Sequence, residues 1–230
     1  MAMAILKASF EPVMGKIILT VLLCLLCVRA FAATDCAQTG PALAAMAKVD
    51  QEVRLAYMAA EDRPGVLHDE LDKLNAHWGD VDHANTEALK LILQDCGWPS
   101  EKEASHDAWL LAQHADKDRP FQRRALVLLR AAVDKKQAAP TDLAYLGDRL
   151  DVAGGRLQQF GTQFEQRDRC TFVLVAIDSI EQVDQRRRAI GMESLAEYEA
   201  RGRKDGFIPA DCPPAFSVQP YSLQPYSLQP

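Results

Sequence analysis

The chain has 230 residues, 48% of them hydrophobic and 25% charged, and a formal net charge of −6. That length suffices for one domain with a substantial core. The acidic balance offers no basic field for nucleic acid or for an anionic lipid surface, so neither is an expected partner.

The segment Gly15 to Val28 is an apolar run of about a dozen residues behind Lys16, the length of a signal-peptide hydrophobic region and short for a bilayer span. Ala30-Phe31-Ala32-Ala33 follows Arg29 with small residues where a signal peptidase reads, so residues 1–32 are expected to be a signal peptide cut after Ala32. Met14 makes a more ordinary start for it than Met1. The rival reading is an uncleaved anchor, against which Arg29 breaks the apolar run early. Lipid attachment fits less well, because Cys24 and Cys27 lie within the run. Cleavage removes three basic residues and one acidic residue, taking the net charge to about −8. The mature chain is expected to be periplasmic or secreted, with no stable membrane insertion. Cys36, Cys96, Cys170 and Cys212 remain, an even count that in an oxidising compartment points to two disulfides with three possible connectivities. Free buried thiols are the alternative.

Helical patterning dominates from there. Leu43, Met46, Val49, Val53 and Tyr57 recur at helical spacing after Thr39 and Pro41, and Asp62-Arg63-Pro64-Gly65 closes the segment. Two more helices are expected, around Leu67 to Trp78 and from Val81 to Cys96, with His77 to His83 as a loop in which Asp80 or Asp82 caps. Gly97-Trp98-Pro99 stops the chain, and Ser100 with Glu103 makes a capping-box pattern for a helix with Ala104, Ala108, Leu111, Ala112 and Ala115 on one face. Asp118 and Pro120 open the next helix, and Pro140 and Thr141 the one ended by Gly154-Gly155. Between residues 158 and 178 the pattern changes. Gln159 to Phe164 and Cys170 to Ile177 are rich in strand formers around a charged loop, Glu165 to Arg169, which predicts a β-hairpin. Ser179 with Gln182 and Ser194 with Glu197 open two final helices, ending near Ile190 and Lys204. The fold class is therefore mainly α, one multi-helix domain over residues 33–212 with a small hairpin. Beyond Cys212 the Tyr-Ser-Leu-Gln-Pro repeats predict a disordered tail over 213–230.

No nucleophile elbow, phosphate loop or zinc motif occurs, and no metal or cofactor is expected. His106 and His114 share a helix face but stand eight residues apart, about 12 Å along the axis, too far to chelate one ion. His114 is the best acid/base candidate, since its unperturbed titration lies near neutrality, with Asp116, Asp148 and Arg149 as groups that tune it. The bland reading of His114 is a helix C-terminal residue favoured by the dipole. Tyr145, Asp148 and Arg149 form a polar stripe opposite a Leu143, Leu146, Leu150 and Ala153 core face, either lining a cleft or locking the hairpin. Gly161 marks a tight turn beside Gln163.

Gly97-Trp98-Pro99, the run Ala108 to Asp116, Phe121-Gln122, Tyr145 to Arg149, Gly161-Thr162-Gln163, Val183-Asp184 and Arg187 to Gly191 resemble an uncharacterised bacterial family catalogued as domain of unknown function 6624. The likeness covers roughly Asp82 to Tyr198. In that family a Thr is usual before the Asp-Arg pair and a Tyr before Gly-Thr-Gln, where this chain has Gly147 and Phe160. The resemblance implies no activity, but it falls on His114, Asp116, Gln122, Asp148, Arg149 and Gln163. Three functions follow as expectations. The favoured one is a non-catalytic envelope module binding a protein or small ligand, with Gln122, Tyr145 and Gln163 as contacts. The others are a hydrolase or lyase using His114, and a purely structural polar network.

Overall fold

The computed structural model describes residues 35–168, 170–205, 208, 209, 211, 212 and 216–218. The expected signal peptide, and all of the C-terminal repeat except Phe216–Val218, lie outside the described residues. Within them the fold is mainly α: seven helices and an antiparallel hairpin. A 3-10 turn at Cys36–Gln38 leads into α1 (Thr39–Glu61), followed by α2 (His68–Cys96), α3 (Lys102–Gln113), α4 (Arg119–Asp134) and α5 (Pro140–Ala153). Strands β1 (Phe164–Gln166) and β2 (Phe172–Leu174) come next, then α6 (Ile180–Ala189), α7 (Leu195–Lys204) and β3 (Phe216–Val218).

Helix α3 is central because its inward face is small. Ala104, Ala108 and Ala112 are buried with Leu111, and α3 packs against α1, α2, α4 and α5. Leu43 from α1, Leu89 and Ile92 from α2, Phe121, Ala125 and Leu129 from α4, and Leu146 and Leu150 from α5 complete one apolar core.

Two sequence expectations give way here. The loop expected at His77 to His83 is the middle of α2, a single helix of 29 residues. Only Gly79 interrupts the helix formers, and the acidic residue read as a cap works inside the helix: Asp82 accepts from the Trp78 indole N–H one turn earlier at 2.9 Å. The expected Ser100 capping box is also absent. Glu101, in extended conformation, precedes the first residue of α3 and makes no side-chain cap. Trp98 fixes that corner instead, packing on the core with its indole N–H donating to Ser105 Oγ at 2.8 Å. The other starts agree with expectation. Asp118 accepts from Phe121 N, Ser179 from Gln182 N, and Ser194 with Glu197 forms a reciprocal capping box.

The hairpin is shorter than the pattern predicts. β1 and β2 pair from Phe164↔Leu174 to Gln166↔Phe172, so Glu165 belongs to a strand, and Asp168 caps the turn by accepting from Cys170 N and Thr171 N. Gln159 to Thr162 do not join the ladder, and Gln163 touches it only through its carbonyl, which accepts from Val175 N, because side chains take the amides of this segment. Asp148 takes those of Gln159, Phe160 and Thr162, and Gln158 Oε1 takes that of Gln163. β3 runs parallel to β2, at the front of the segment expected to be structureless.

Disulfides Cys36–Cys96 and Cys170–Cys212 select one of the three connectivities. The first fastens the start of α1 to the end of α2. The second joins Phe172 and Ile208 in a small separate core. Closing loops of 60 and 42 residues, each stabilises the fold by about 4 kcal/mol on the chain-entropy account.

Gly147 sits inside α5, and a Cβ there would meet nothing within 4 Å. Glycine in a helix interior loses about 0.5–1 kcal/mol relative to alanine. Gly147→Ala should therefore raise the Tm by about 1–4 °C. A fall in Tm would show that this open space is not there in solution.

Candidate functional site

The site begins with a carboxylate on a buried stripe. Leu43, Ala47, Asp50 and Val53 follow one another at helical spacing on α1 and all are buried, Asp50 completely. A buried carboxylate requires donors on both oxygens. His114 Nδ1, at the C-terminal cap of α3, lies 2.9 and 3.0 Å from the two oxygens. Arg54 Nη1 donates to Oδ1 and Gln51 Nε2 to Oδ2, each at 2.8 Å. Arg54 then extends its other nitrogen to Asp82 on α2 at 2.7 Å, with its guanidinium 4.8 Å from the centre of the Trp78 ring. Burial pushes the Asp82 carboxyl up, against the opposing pull of Arg54 and His114.

An imidazole whose Nδ1–H is held by a carboxylate presents Nε2 as an acceptor. Among the described residues His114 Nε2 has no hydrogen-bond partner, and the ring, 20% exposed, lines a cleft of about 330 Å³. Gln51, Arg54, Asp82, Asp116 and Arg149 make the rest of its polar lining, and Leu55, Met58, Trp78 and Leu110 add apolar surface. A second hollow of about 260 Å³, lined by Thr86, Glu87 and Asp118 among others, also includes His114 in its lining.

Asp116 and Arg149 form the second polar unit. Arg149 grips Asp116 through Nε at 2.8 Å and through Nη2, and its Nη1 reaches Gln163 Oε1 at 3.3 Å. Arg119 donates to Asp116 at 2.9 Å and to Gln122 Oε1 at 2.7 Å. Gln122, fully buried, donates to the carbonyls of Ala112 and Gln113 at the end of α3. Burial acts to raise the Asp116 carboxyl, but Arg149, Arg119 and Gln122 outweigh it and hold the group below the ordinary carboxylate value.

The sequence-predicted residues therefore separate. His114, Asp116 and Arg149 meet at the cleft, while Gln122 and Gln163 support them from behind. Asp148 stands apart, 1% exposed among the core residues of α5, accepting from three backbone amides and from Thr162 Oγ1. It locks the hairpin. Gly161 is needed in that turn, at φ +60° with Val183 and Leu195 methyl groups 3.2 Å from where a Cβ would stand. Tyr145 packs edge-on against Trp109, and burial with the neighbouring Tyr198 pushes its hydroxyl up. His106 turns to Asp142 at 3.2 Å. The residues that sequence reasoning missed are Asp50, Arg54, Trp78 and Asp82. A usable signal was present, since Asp50 occupies a core position in the α1 periodicity with Arg54 one turn on.

Asp116 should show its pairing as a pH-dependent stability. A carboxyl depressed in the fold stabilises it at pH above the ordinary value of 3.8, and that contribution disappears as pH falls through the folded value. Asp116→Asn should lower unfolding free energy by about 1–2 kcal/mol at pH 7, discounted for partial exposure. In urea titrations the gap between variant and wild type should narrow below pH 4. A gap independent of pH would contradict the pairing.

No curated protein and no solved structure matches the chain. A family model does, over residues 37–207, a span that takes in Asp50 and Arg54 as well as the cleft residues of α3 and α5. The chain thus belongs to the family of unknown function DUF6624.

Proposed function

We propose that this is an exported acid/base enzyme, a hydrolase or lyase whose working group is the His114 imidazole. The observation that carries this reading is the Asp50–His114 pair: a fully buried carboxylate on Nδ1 of a histidine that lines a cleft together with Asp116 and Arg149. In a hydrolysis Nε2 takes a proton from water as the water oxygen bonds to the electrophilic centre, and the imidazolium returns that proton to the leaving group. In an elimination Nε2 takes the proton from carbon, the released electron pair forms the double bond, and the group on the neighbouring carbon departs with its bonding pair and is protonated by the imidazolium. In both, Asp50 fixes the tautomer and stabilises the imidazolium. Arg149 uses three of its five N–H groups on Asp116 and Gln163, leaving two for a substrate oxygen. Both disulfides accord with export to an oxidising compartment, and no helix among the described residues is long and apolar enough to cross a membrane.

A non-catalytic binding module is the second reading. It is favoured by the completeness of the internal pairing, since Arg54 and Arg149 already satisfy Asp50, Asp82 and Asp116 without a ligand.

Turnover of p-nitrophenyl esters and p-nitroanilides by the mature protein separates the two. His114→Gln keeps a donor for Asp50 but has no proton-accepting nitrogen, and should reduce kcat about 10²–10⁴-fold. Asp50→Asn should reduce it by about 10²-fold or more. Turnover unchanged in both variants, or none in the wild type while a ligand still binds, would favour the binding module.

A further inference from the structure

The lining of the His114 cleft mixes apolar and charged side chains, and the mixture specifies an occupant. Leu55 and Met58, one turn apart on α1, leave 60% and 48% of their surface exposed, and Leu110 and Trp78 line the same cleft. Exposed large apolar side chains scattered over a surface carry no message. Here two of them line one cleft together with His114, Asp116 and Arg149, the composition of small-molecule sites that bury an apolar body and orient it with a few polar groups. The volume of about 330 Å³ lies at the small end of such sites.

The charged lining is matched in sign. Asp82 pairs with Arg54 and Asp116 with Arg149, and behind them Arg54 also pairs with Asp50 and Asp116 with Arg119, so the acidic and basic side chains are equal in number. A charged ligand end would enter without a free counter-charge and would have to break a pair already made. A neutral carbonyl, ester, amide or hydroxyl needs only the remaining Arg149 N–H groups and His114 Nε2.

We propose that the cleft takes a small, uncharged amphipathic molecule, its apolar part on Leu55, Met58 and Leu110 and its polar end at His114 and Arg149. This rests on the same cleft being the working site, but not on His114 acting as a base.

The test uses N-phenyl-1-naphthylamine, a neutral fluorescent amphiphile, against its anionic counterpart 1-anilinonaphthalene-8-sulfonate, with the whole mature protein. The neutral dye should bind saturably at one site and at least ten-fold more tightly than the sulfonate. Leu55→Glu and Met58→Glu should each weaken it at least five-fold. Val127→Glu, at an equally exposed apolar position on α4, should change it less than two-fold. Equal affinity for the two dyes, no saturable binding, or equal loss in the Val127 variant overturns the proposal. The dye comparison is made on the unaltered protein and stands whether or not a variant folds. Saturable binding of the neutral dye by the wild type without any turnover that His114→Gln abolishes rejects the acid/base reading alone, whereas no saturable binding to the wild type rejects this one.

Discussion

The architecture around the cleft depends on one buried charge. Asp50 has no exposed surface, and a carboxylate in that position survives only if its oxygens are occupied by donors. Its donors come from its own helix, through Gln51 and Arg54, and from the end of α3 through His114. Arg54 and Trp78 then bring in Asp82 on α2. Three helices are thereby fixed relative to one another by a polar network at the edge of an apolar core. Removing a single partner of a buried pair destabilises by about 3–5 kcal/mol, because the other charge is left uncompensated. The same constraint that holds the helices together sets the orientation of the imidazole.

A division of labour among the other polar residues follows from burial. Asp148 is an anchor: its carboxylate gathers the amides of the turn after α5 and so determines where β1 can begin. Arg187, 1% exposed, does the matching work from α6, donating to the Phe160 and Glu193 carbonyls with its guanidinium 5.3 Å from the centre of the Tyr198 ring. Asp116, in the turn between α3 and α4, and Arg149 on α5 are half-exposed and paired, which leaves them able to meet a ligand. Neighbouring residues Asp148 and Arg149 thus serve different partners, the first the turn before the hairpin and the second Asp116 at the cleft.

Much of this was legible from the chain itself. The Asp118 start of α4 and the Ser194 capping box are local signals realised by local hydrogen bonds, Pro140 opens α5 at its first residue, and the alanine face of α3 is buried as its spacing predicts. The even cysteine count anticipated two disulfides, though not which cysteines meet. The failures share a cause. Asp80 and Asp82 were read as caps because acidic residues often are, whereas Asp82 has partners 28 residues away in sequence. Strand formers from Gln159 to Thr162 lost their ladder to Asp148, 11 to 14 residues upstream. Asp50 reaches His114 across 64 residues, a pairing that no spacing rule encodes. His114, Asp116 and Arg149 were found because their residue types are chemically expressive; the carboxylate that orients the histidine looked like one more charge on a long amphipathic helix.

The central claim is that Asp50 holds His114 with its proton on Nδ1 and Nε2 open to the cleft. The direct measurement is the ring-nitrogen NMR of selectively 15N-histidine-labelled protein, recorded where the His114 ring is neutral, for wild type and Asp50→Asn. The account predicts the Nδ1–H tautomer in the wild type and a shift of the tautomer equilibrium on substitution. An Nε2–H tautomer in the wild type, or spectra indifferent to Asp50, would contradict it.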